Sequence, residues 1–247
     1  MKNTMAIFFK QFQSLLRNPA LIVQAALFLI LVIVMSVLIV GYEDRDCESC
    51  IPAYVCETCM EENVHSYNPA PSLAGLFTVM FVGFALVGSA SALVIEDKTT
   101  QNLRFMAMAD VKPWQYLIGT LVSMAIITFG ILVFYALVGR YFGVQMLWFM
   151  AVTALGALVS ILLGLVVGLS KFPSLATLLS LVLGLGPMLS RFNEELARVL
   201  RFTYTQQVNL ALGDLNGDMT TNFMIIGANG IVILLIFIWM HRKGVLG

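Results

Sequence analysis

The sequence predicts an all-α polytopic membrane protein that forms a single transmembrane domain over residues 1–247. Three observations support this fold class. Apolar residues make up 60% of the chain and charged residues only 11%, and the mean hydropathy of +0.91 lies outside the range of soluble globular proteins. The apolar residues also fall into runs that are long enough to cross a bilayer as helices. The formal net charge is zero, so nothing in the composition indicates a nucleic-acid partner.

The first 18 residues predict an amphipathic helix that lies on the membrane surface. The apolar residues that recur with the helical period are Met5, Phe8, Phe9, Phe12 and Leu16. The residues that face away from them are Lys10, Gln13 and Arg17. Because this segment carries basic residues and no acid, it favours an anionic membrane leaflet. The alternative is a frayed extension of the first membrane span.

Six apolar segments predict six membrane spans. They cover approximately residues 20–40, 72–95, 114–138, 146–169, 172–189 and 223–240. An even number of spans places both termini on one side. The terminal segments hold basic residues and no acid, namely Lys2, Lys10, Arg17, Arg242 and Lys243. The positive-inside rule therefore predicts a plasma membrane protein with both termini in the cytosol.

The loop at residues 41–71 is predicted to be external and is rich in cysteine. It holds seven acidic residues against Arg45 alone, as expected for an outside loop. The chain's four cysteines form a C-x2-C-x5-C-x2-C pattern at Cys47, Cys50, Cys56 and Cys59. Disulfides are the favoured chemistry outside the cytosol, with three pairings open. A zinc site on the four thiolates is the alternative, although its spacer is shorter than usual.

The segment at residues 96–113 connects the second and third spans on the predicted cytosolic side. Its charged residues are Glu96, Asp97, Lys98, Arg104, Asp110 and Lys112. They surround a compact apolar cluster of Leu103, Phe105, Met106 and Met108. Polar flanks around a short apolar patch are typical of a helix that docks on a membrane or in the groove of a partner. A solvated loop is the alternative.

Small residues predict where the spans touch. Span two contains Gly83 and Gly88, and span four contains Gly164 and Gly168 in a GxxxG arrangement. Such residues let helix backbones approach closely in lipid. The predicted spans hold no charged residue deep in the bilayer, which disfavours an ion-coupled carrier. No Gly-Lys pair occurs, so the sequence contains no P-loop for nucleotide.

The external segment at residues 190–222 predicts a second amphipathic helix, either on the outer surface or re-entrant. The residues Gly184, Gly186 and Pro187 are expected to unwind the end of span five just before it. The apolar face of this helix is predicted to be Phe192, Leu196, Val199 and Leu200.

Together these features resemble the membrane subunit of ABC exporters of the type-2 permease class, over nearly the whole chain. The resemblance rests on the six spans and the basic lead that ends in Leu-Arg-Asn-Pro at 16–19. It also rests on a first cytosolic loop that opens with Glu96 and closes with Val-Lys-Pro-Trp at 111–114, and on Gly-Leu-Gly-Pro at 184–187. The chain departs from the family pattern at Gln101-Asn102, where members often have Gly-Thr.

The resemblance implies a pair of permease subunits, identical or mixed, that work with two cytosolic ATPase subunits. ATP and Mg would be bound by the ATPases, with no cofactor on this chain apart from zinc at the cysteine loop if it forms there. The implied coupling residues of the 96–113 segment are Glu96, Leu103, Arg104, Phe105 and Met106. Spans one, two and five would line the pathway, with polar groups at Gln24, Ser36, Thr78 and Thr177. A lining with almost no charge suits an apolar or amphipathic cargo, such as a peptide antibiotic, a lipid or a drug.

A different class of protein remains as the alternative, a membrane thiol-disulfide oxidoreductase that uses the external CxxC pairs. It would need one cysteine with a lowered pKa. No Lys or His closely flanks a CxxC pair, and the surrounding acidic residues are expected to raise the pKa values of the thiols. The cysteines are therefore predicted to be structural.

Overall fold

The structure is a computed structural model that describes residues 2–17, 23, 26–28, 30–31, 33–34, 69–102, 108, 113–170, 172, 174–190, 192–213 and 219–242. All regular secondary structure in these residues is helical. The helices are α1 (Lys2–Arg17), α2 (Pro69–Met80, then Phe81–Leu86, then Val87–Thr99), α3 (Pro113–Val138), α4 (Val144–Leu169), α5 (Ser174–Leu189), α6 (Glu194–Leu200), α7 (Tyr204–Gly213) and α8 (Thr220–Arg242).

Four of the described helices are long and apolar enough to cross a membrane. They correspond to residues 74–99, 114–138, 144–169 and 220–240, and so to four of the six predicted spans. Helix α5 has 16 residues, about 24 Å at 1.5 Å per residue, which is shorter than the hydrocarbon core of a bilayer. The described residues of predicted span one are helical between positions 23 and 34. The count of six spans stays a prediction.

Local sequence signals explain where several helices begin. Pro113 is the first residue of α3, where its missing N–H costs no hydrogen bond. Gly143 precedes α4 with a φ of 64°, a backbone conformation that glycine adopts without strain. The side chain of Asn193 caps α6 by accepting hydrogen bonds from the backbone amides of Glu195 and Leu196.

Helices α2 and α4 pack along a seam of small residues. A Cβ atom at Gly164 would lie 2.6 Å from the Cβ of Ala90, and one at Gly168 would lie 2.8 Å from the Cβ of Val94. Both distances are too short for non-bonded carbon atoms, so only glycine permits this approach. The predicted contact at the GxxxG pair is confirmed. Gly88 differs, because a Cβ there would meet nothing within 4 Å.

The end of α5 differs from the sequence prediction. The residues Gly184, Gly186 and Pro187 were expected to unwind the helix, but α5 continues through Pro187 to Leu189. Gly186 packs against Leu200, since a Cβ there would lie 2.9 Å from the Cδ1 of Leu200. The close packing of α5 on its neighbours therefore keeps the helix formed although proline removes one amide donor.

The segment after α5 contains two short helices. Of the residues predicted to form one apolar face, Leu200 is buried whereas Phe192 and Val199 are 80% and 73% exposed, and the prediction of a helix on the outer membrane surface stays a prediction. The sequence did not indicate α7, whose polar residues Thr205, Gln206, Gln207 and Asn209 are all buried. Helix α7 packs between α2, α4, α5 and α8.

Candidate functional site

The end of α2 and the start of the 96–113 segment hold a cluster of polar and charged side chains. It consists of Lys10, Gln11, Asp97, Lys98, Asn102 and Tyr116, which we call the Asp97 junction. These residues come from α1, α2, α3 and the residue that follows the turn at the end of α2. The junction lies where the second predicted span ends.

Asp97 is the centre of this cluster and is only 5% exposed. Its Oδ2 accepts hydrogen bonds from Gln11 Nε2 at 2.7 Å and from Tyr116 OH at 3.0 Å. Its Oδ1 accepts from Asn102 Nδ2 at 3.1 Å and forms an ion pair with Lys10 Nζ at 3.3 Å. Four donors from three parts of the chain therefore meet on one carboxylate.

These contacts are strong enough to fix the helices relative to one another. A buried carboxylate is stable only where hydrogen bonds and a counter-charge compensate for its lost hydration. Gln11 is 1% exposed and Tyr116 is also buried, so their bonds to Asp97 are shielded from water. Lys10 is half-exposed, and its ion pair is correspondingly weaker. The two buried neutral donors, Gln11 and Tyr116, therefore carry most of the attachment.

Lys98 joins a further helix to the same end of α2. Its Nζ donates to the backbone carbonyls of Leu169 at 2.6 Å and of Ser170 at 3.0 Å. These carbonyls lie at the C-terminus of α4, where no further turn of helix supplies donors and where the helix dipole favours a cation. Asp97 and Lys98 together connect α1, α3 and α4 to the last turn of α2.

Helix α1 packs against the rest of the protein with a different face from the one that the sequence predicted to be apolar. Ile7, Gln11 and Leu15 recur every fourth residue and are buried, with α3 as the main neighbour of the helix. A Cβ at Gly119 of α3 would lie 2.9 Å from the Cγ2 of Ile7, so α3 and α1 approach closely. Met5 and Phe9 belong to the predicted apolar face and are 63% and 57% exposed.

The structure describes one of the five predicted coupling residues. Glu96 is exposed, and its backbone carbonyl accepts from the hydroxyls of Thr99 and Thr100. Leu103, Arg104, Phe105 and Met106 lie outside the described residues. The neighbouring Asp97 was counted only among the charged flanks of this segment, and its burial was not predicted. Helix α2 extends past Ile95 to Thr99, and Asp97 is buried in its last turn.

Two of the four predicted pathway residues fall in the described part of the chain. Thr78 is buried, and its hydroxyl donates to the carbonyl of Ala74 at 2.6 Å. Thr177 is exposed on α5. Gln24 and Ser36 lie outside the described residues.

The predicted disulfide or zinc residues also lie outside the described part of the chain. They are Cys47, Cys50, Cys56 and Cys59. Within the described ranges, no three residues of the His, Cys, Asp and Glu types come together as a metal site would need.

Sequence reasoning missed three members of the junction. Gln11 and Tyr116 lie 86 and 19 residues from Asp97 in sequence, and Asn102 follows the turn after α2. One signal was available in the sequence. Glu96 to Thr99 contain no helix breaker, so the helix of span two had no reason to end at Ile95.

The fold defines a polytopic helical membrane protein whose polar junction ties its N-terminal helix to the connection between two spans. A protein-family model described as ABC-2 type transporter matches residues 2–192. The chain belongs to this family and is an ABC-2 type permease, a multi-pass membrane component of a transporter. The matched residues include the whole Asp97 junction. Comparisons with curated proteins and with solved structures gave no significant match.

Proposed function

We propose that this chain is the membrane-spanning permease subunit of an ATP-driven exporter, with ATP hydrolysed by a separate cytosolic ATPase. The observation that carries the proposal is the Asp97 junction. It holds α1, α3 and α4 on the last turn of α2, at the point where the 96–113 segment leaves the bundle. A partner that displaced this segment would therefore move several helices together.

The 96–113 segment is attached to the helical bundle at both of its ends. The segment begins at Glu96, directly beside Asp97, and ends at Pro113, three residues before Tyr116. Both of its ends are thus tied to the same carboxylate through α2 and α3. A displacement of the segment would therefore be transmitted to the helices through Asp97. In a loop without this link, the same displacement would change only the conformation of the loop.

The remaining parts of the proposal extend the same arrangement. The chain would cross the plasma membrane six times with both termini in the cytosol, and α1 would rest on the inner leaflet with Met5 and Phe9 towards lipid. A second permease, identical or related, would complete the pathway. The cargo would be apolar or amphipathic, because the described helices present almost no charge at the depth of the membrane.

The test is ATP hydrolysis by the assembled complex. The tagged permease is purified from its source membranes and placed in lipid nanodiscs, and the co-purified ATPase is identified and assayed. We expect Asp97→Ala to lower the hydrolysis rate by about tenfold, the factor that corresponds to 1.4 kcal/mol of lost coupling. Glu195→Ala on α6 is the matched control, since its carboxylate is exposed and lies outside the 96–113 segment, and it should leave the rate unchanged.

Two outcomes would contradict the proposal. The first is a purified permease that never carries an ATPase. The second is a complex in which Asp97→Ala hydrolyses ATP at the same rate as the unmodified protein and as Glu195→Ala.

A further inference from the structure

Two irregular stretches of helix meet where α2 crosses α5. Helix α2 is π-helical over Phe81–Leu86, and five of these six residues are buried. In a π-helical turn each amide bonds to the carbonyl five residues earlier, so the turn holds one residue more than an α-helical turn. Such turns are rare and are found frequently at functional sites.

Helix α5 is also irregular at this crossing. Pro187 lies inside the helix and has no amide N–H to donate to the carbonyl of Leu183, four residues earlier. The same carbonyl lies against Gly83 of the π-helical segment, since a Cβ at Gly83 would be 2.6 Å from the oxygen of Leu183. The segment of α2 with an extra residue therefore faces the part of α5 that lacks one backbone donor.

At Gly83 no side chain separates the backbone of α2 from that of α5. A Cβ at Gly83 would lie 2.8 Å from the backbone nitrogen of Gly184, and a Cβ at Gly184 would lie 2.6 Å from the Cβ of Phe84. Contacts between Cα–H groups and carbonyls are weak individually. The nearest atoms of α5 to Gly83 are all backbone atoms, so the two helices can shift at this residue without displacing a side chain from between them.

Aromatic side chains connect the crossing to two further helical segments. The ring of Phe84 meets Phe28 of predicted span one edge to face, with centroids 6.5 Å apart. The ring of Phe81 lies 5.6 Å from that of Tyr135 in α3. A change in the orientation of the π-helical segment would therefore be transmitted to both neighbours.

We propose that this crossing, Phe81–Leu86 of α2 against Leu183–Pro187 of α5, is the movable joint of the permease. The proposal rests on the proposed function and names the element that carries motion away from the Asp97 junction. The extra residue of the π-helical turn shifts along α2 when the junction is displaced. The part of α2 beyond the joint then rotates against α5, with Gly83 and Phe84 as positioning residues.

The decisive variant is a protein that lacks Ala85. Removal of one residue converts the π-helical turn into α-helical turns and keeps the faces of α2 on either side in place, because the π turn contains one residue more. The variant should fold and retain its ATPase, yet no longer transmit motion. If the π-helical segment serves only in packing, the variant without Ala85 should transmit motion as the parent does.

The readout is a cysteine placed just beyond the joint. Val79 is buried and lies two residues before the π-helical segment, so Val79→Cys reports movement there. The permease with its co-purified ATPase is held in lipid nanodiscs and treated with an alkylating reagent, with or without ATP and vanadate. Mass spectrometry of the peptide that contains position 79 separates this thiol from the native cysteines.

The expected result is a change in alkylation rate of about tenfold on adding nucleotide in the Val79→Cys parent, equal to 1.4 kcal/mol. In the variant that lacks Ala85, the alkylation rates with and without nucleotide should be equal. The amount of ATPase that co-purifies with it should be the same as for the parent. If the alkylation rate depends equally on nucleotide in the parent and in the variant without Ala85, the proposal of a movable joint is wrong. A parent that retains its ATPase but shows no nucleotide dependence would also overturn it, whereas a parent that retains no ATPase would overturn the proposed function itself.

A second variant decides the matter if the deletion prevents folding. Gly83→Ala places a methyl group against the carbonyl of Leu183 and should reduce the nucleotide dependence at position 79 to nearly none. Gly88→Ala, five residues along the same helix, meets nothing within 4 Å and should behave as the parent. If Gly83→Ala keeps the dependence of the parent, the proposal is wrong.

Discussion

Asp97 and Lys98 are neighbours in sequence, and each binds a different set of helices. The carboxylate of Asp97 accepts from Gln11 of α1 and Tyr116 of α3, whereas the ammonium of Lys98 donates to the last carbonyls of α4. One turn of helix thus attaches three others. Opposite charges suit these roles, since a carboxylate accepts from side-chain donors and a cation binds a helix C-terminus.

The first prediction concerns the stability that Asp97 provides. Asp97→Ala removes the acceptor of two buried donors, Gln11 and Tyr116, and should lower the free energy of unfolding by about 3 kcal/mol. Asp97→Asn retains one oxygen acceptor and should cost less. Chemical unfolding of the purified chain in detergent measures both. Glu96→Ala should stay within about 0.5 kcal/mol, because its side chain is exposed; a loss for Glu96→Ala as large as that for Asp97→Ala would refute this account.

The second prediction concerns the seam between α2 and α4. Gly164→Ala would place a methyl group 2.6 Å from the Cβ of Ala90 and 2.7 Å from the carbonyl oxygen of Val87. Overpacking of this kind costs about 1–3 kcal/mol. Gly130→Ala on α3 is the control, because a Cβ there meets nothing within 4 Å and alanine favours the helix. Thermal unfolding should separate the two variants, and equal midpoints would show that the seam tolerates wider separation.

The long apolar helices could be predicted from the sequence, because a run of some 20 apolar residues has few structures available to it in a membrane. The GxxxG contact at Gly164 and Gly168 could be predicted for the same local reason. The Asp97 junction could not be predicted from the sequence. A buried aspartate and a solvated one look alike in a sequence, and only the fold places distant partners such as Gln11 beside Asp97.

Two helical features also left no local signal. The π-helical segment Phe81–Leu86 reads as ordinary apolar helix in the sequence, and the close contact of Gly83 with α5 becomes visible only in the fold. Helix α7 is polar in sequence and resembles a surface segment. It is nevertheless buried, and some of its polar groups have buried partners: Ser160 donates to the hydroxyl of Tyr204 at 2.8 Å and Ser190 donates to Gln206 at 3.1 Å.

The third prediction concerns the four cysteines of the 41–71 loop. If they are structural, intact protein that is denatured without reductant should show no free thiol, or should release stoichiometric zinc. Four readily alkylated thiols without metal would contradict both forms. The thiol-disulfide oxidoreductase alternative is tested by changing all four cysteines to Ser. It is excluded if thiol-disulfide turnover in the membranes persists.

The fourth prediction concerns topology. Cysteines introduced at Thr100 and Asp110 should react in intact cells only with membrane-permeant reagents, because the 96–113 segment is predicted to be cytosolic. Mass spectrometry at each position distinguishes them from the native cysteines. Modification of either position by an impermeant reagent would show that every predicted span has the opposite orientation.

The last prediction concerns how the 96–113 segment binds its partner. Phe105 and Met106 are the apolar residues predicted to seat the segment in a groove of the ATPase, and changing both to Asp would bury charge there. Loss of an anchor at an interface costs about 2–4 kcal/mol, which weakens association more than tenfold. Neither position lies in a span predicted from the sequence, so the variant should insert and fold normally while it fails to retain the ATPase in detergent and fails to export.

The control for this variant is Arg104→Ala, between Leu103 and Phe105. A charge at the rim of an interface contributes little once solvent screens it, so this change should weaken retention of the ATPase only slightly. Co-purification in mild detergent, with the ATPase measured per permease, compares the three proteins. If the double variant retains as much ATPase as the unmodified chain, the segment is an ordinary loop and force must enter the bundle elsewhere, leaving the Asp97 junction as a purely structural clamp between α1, α2 and α3.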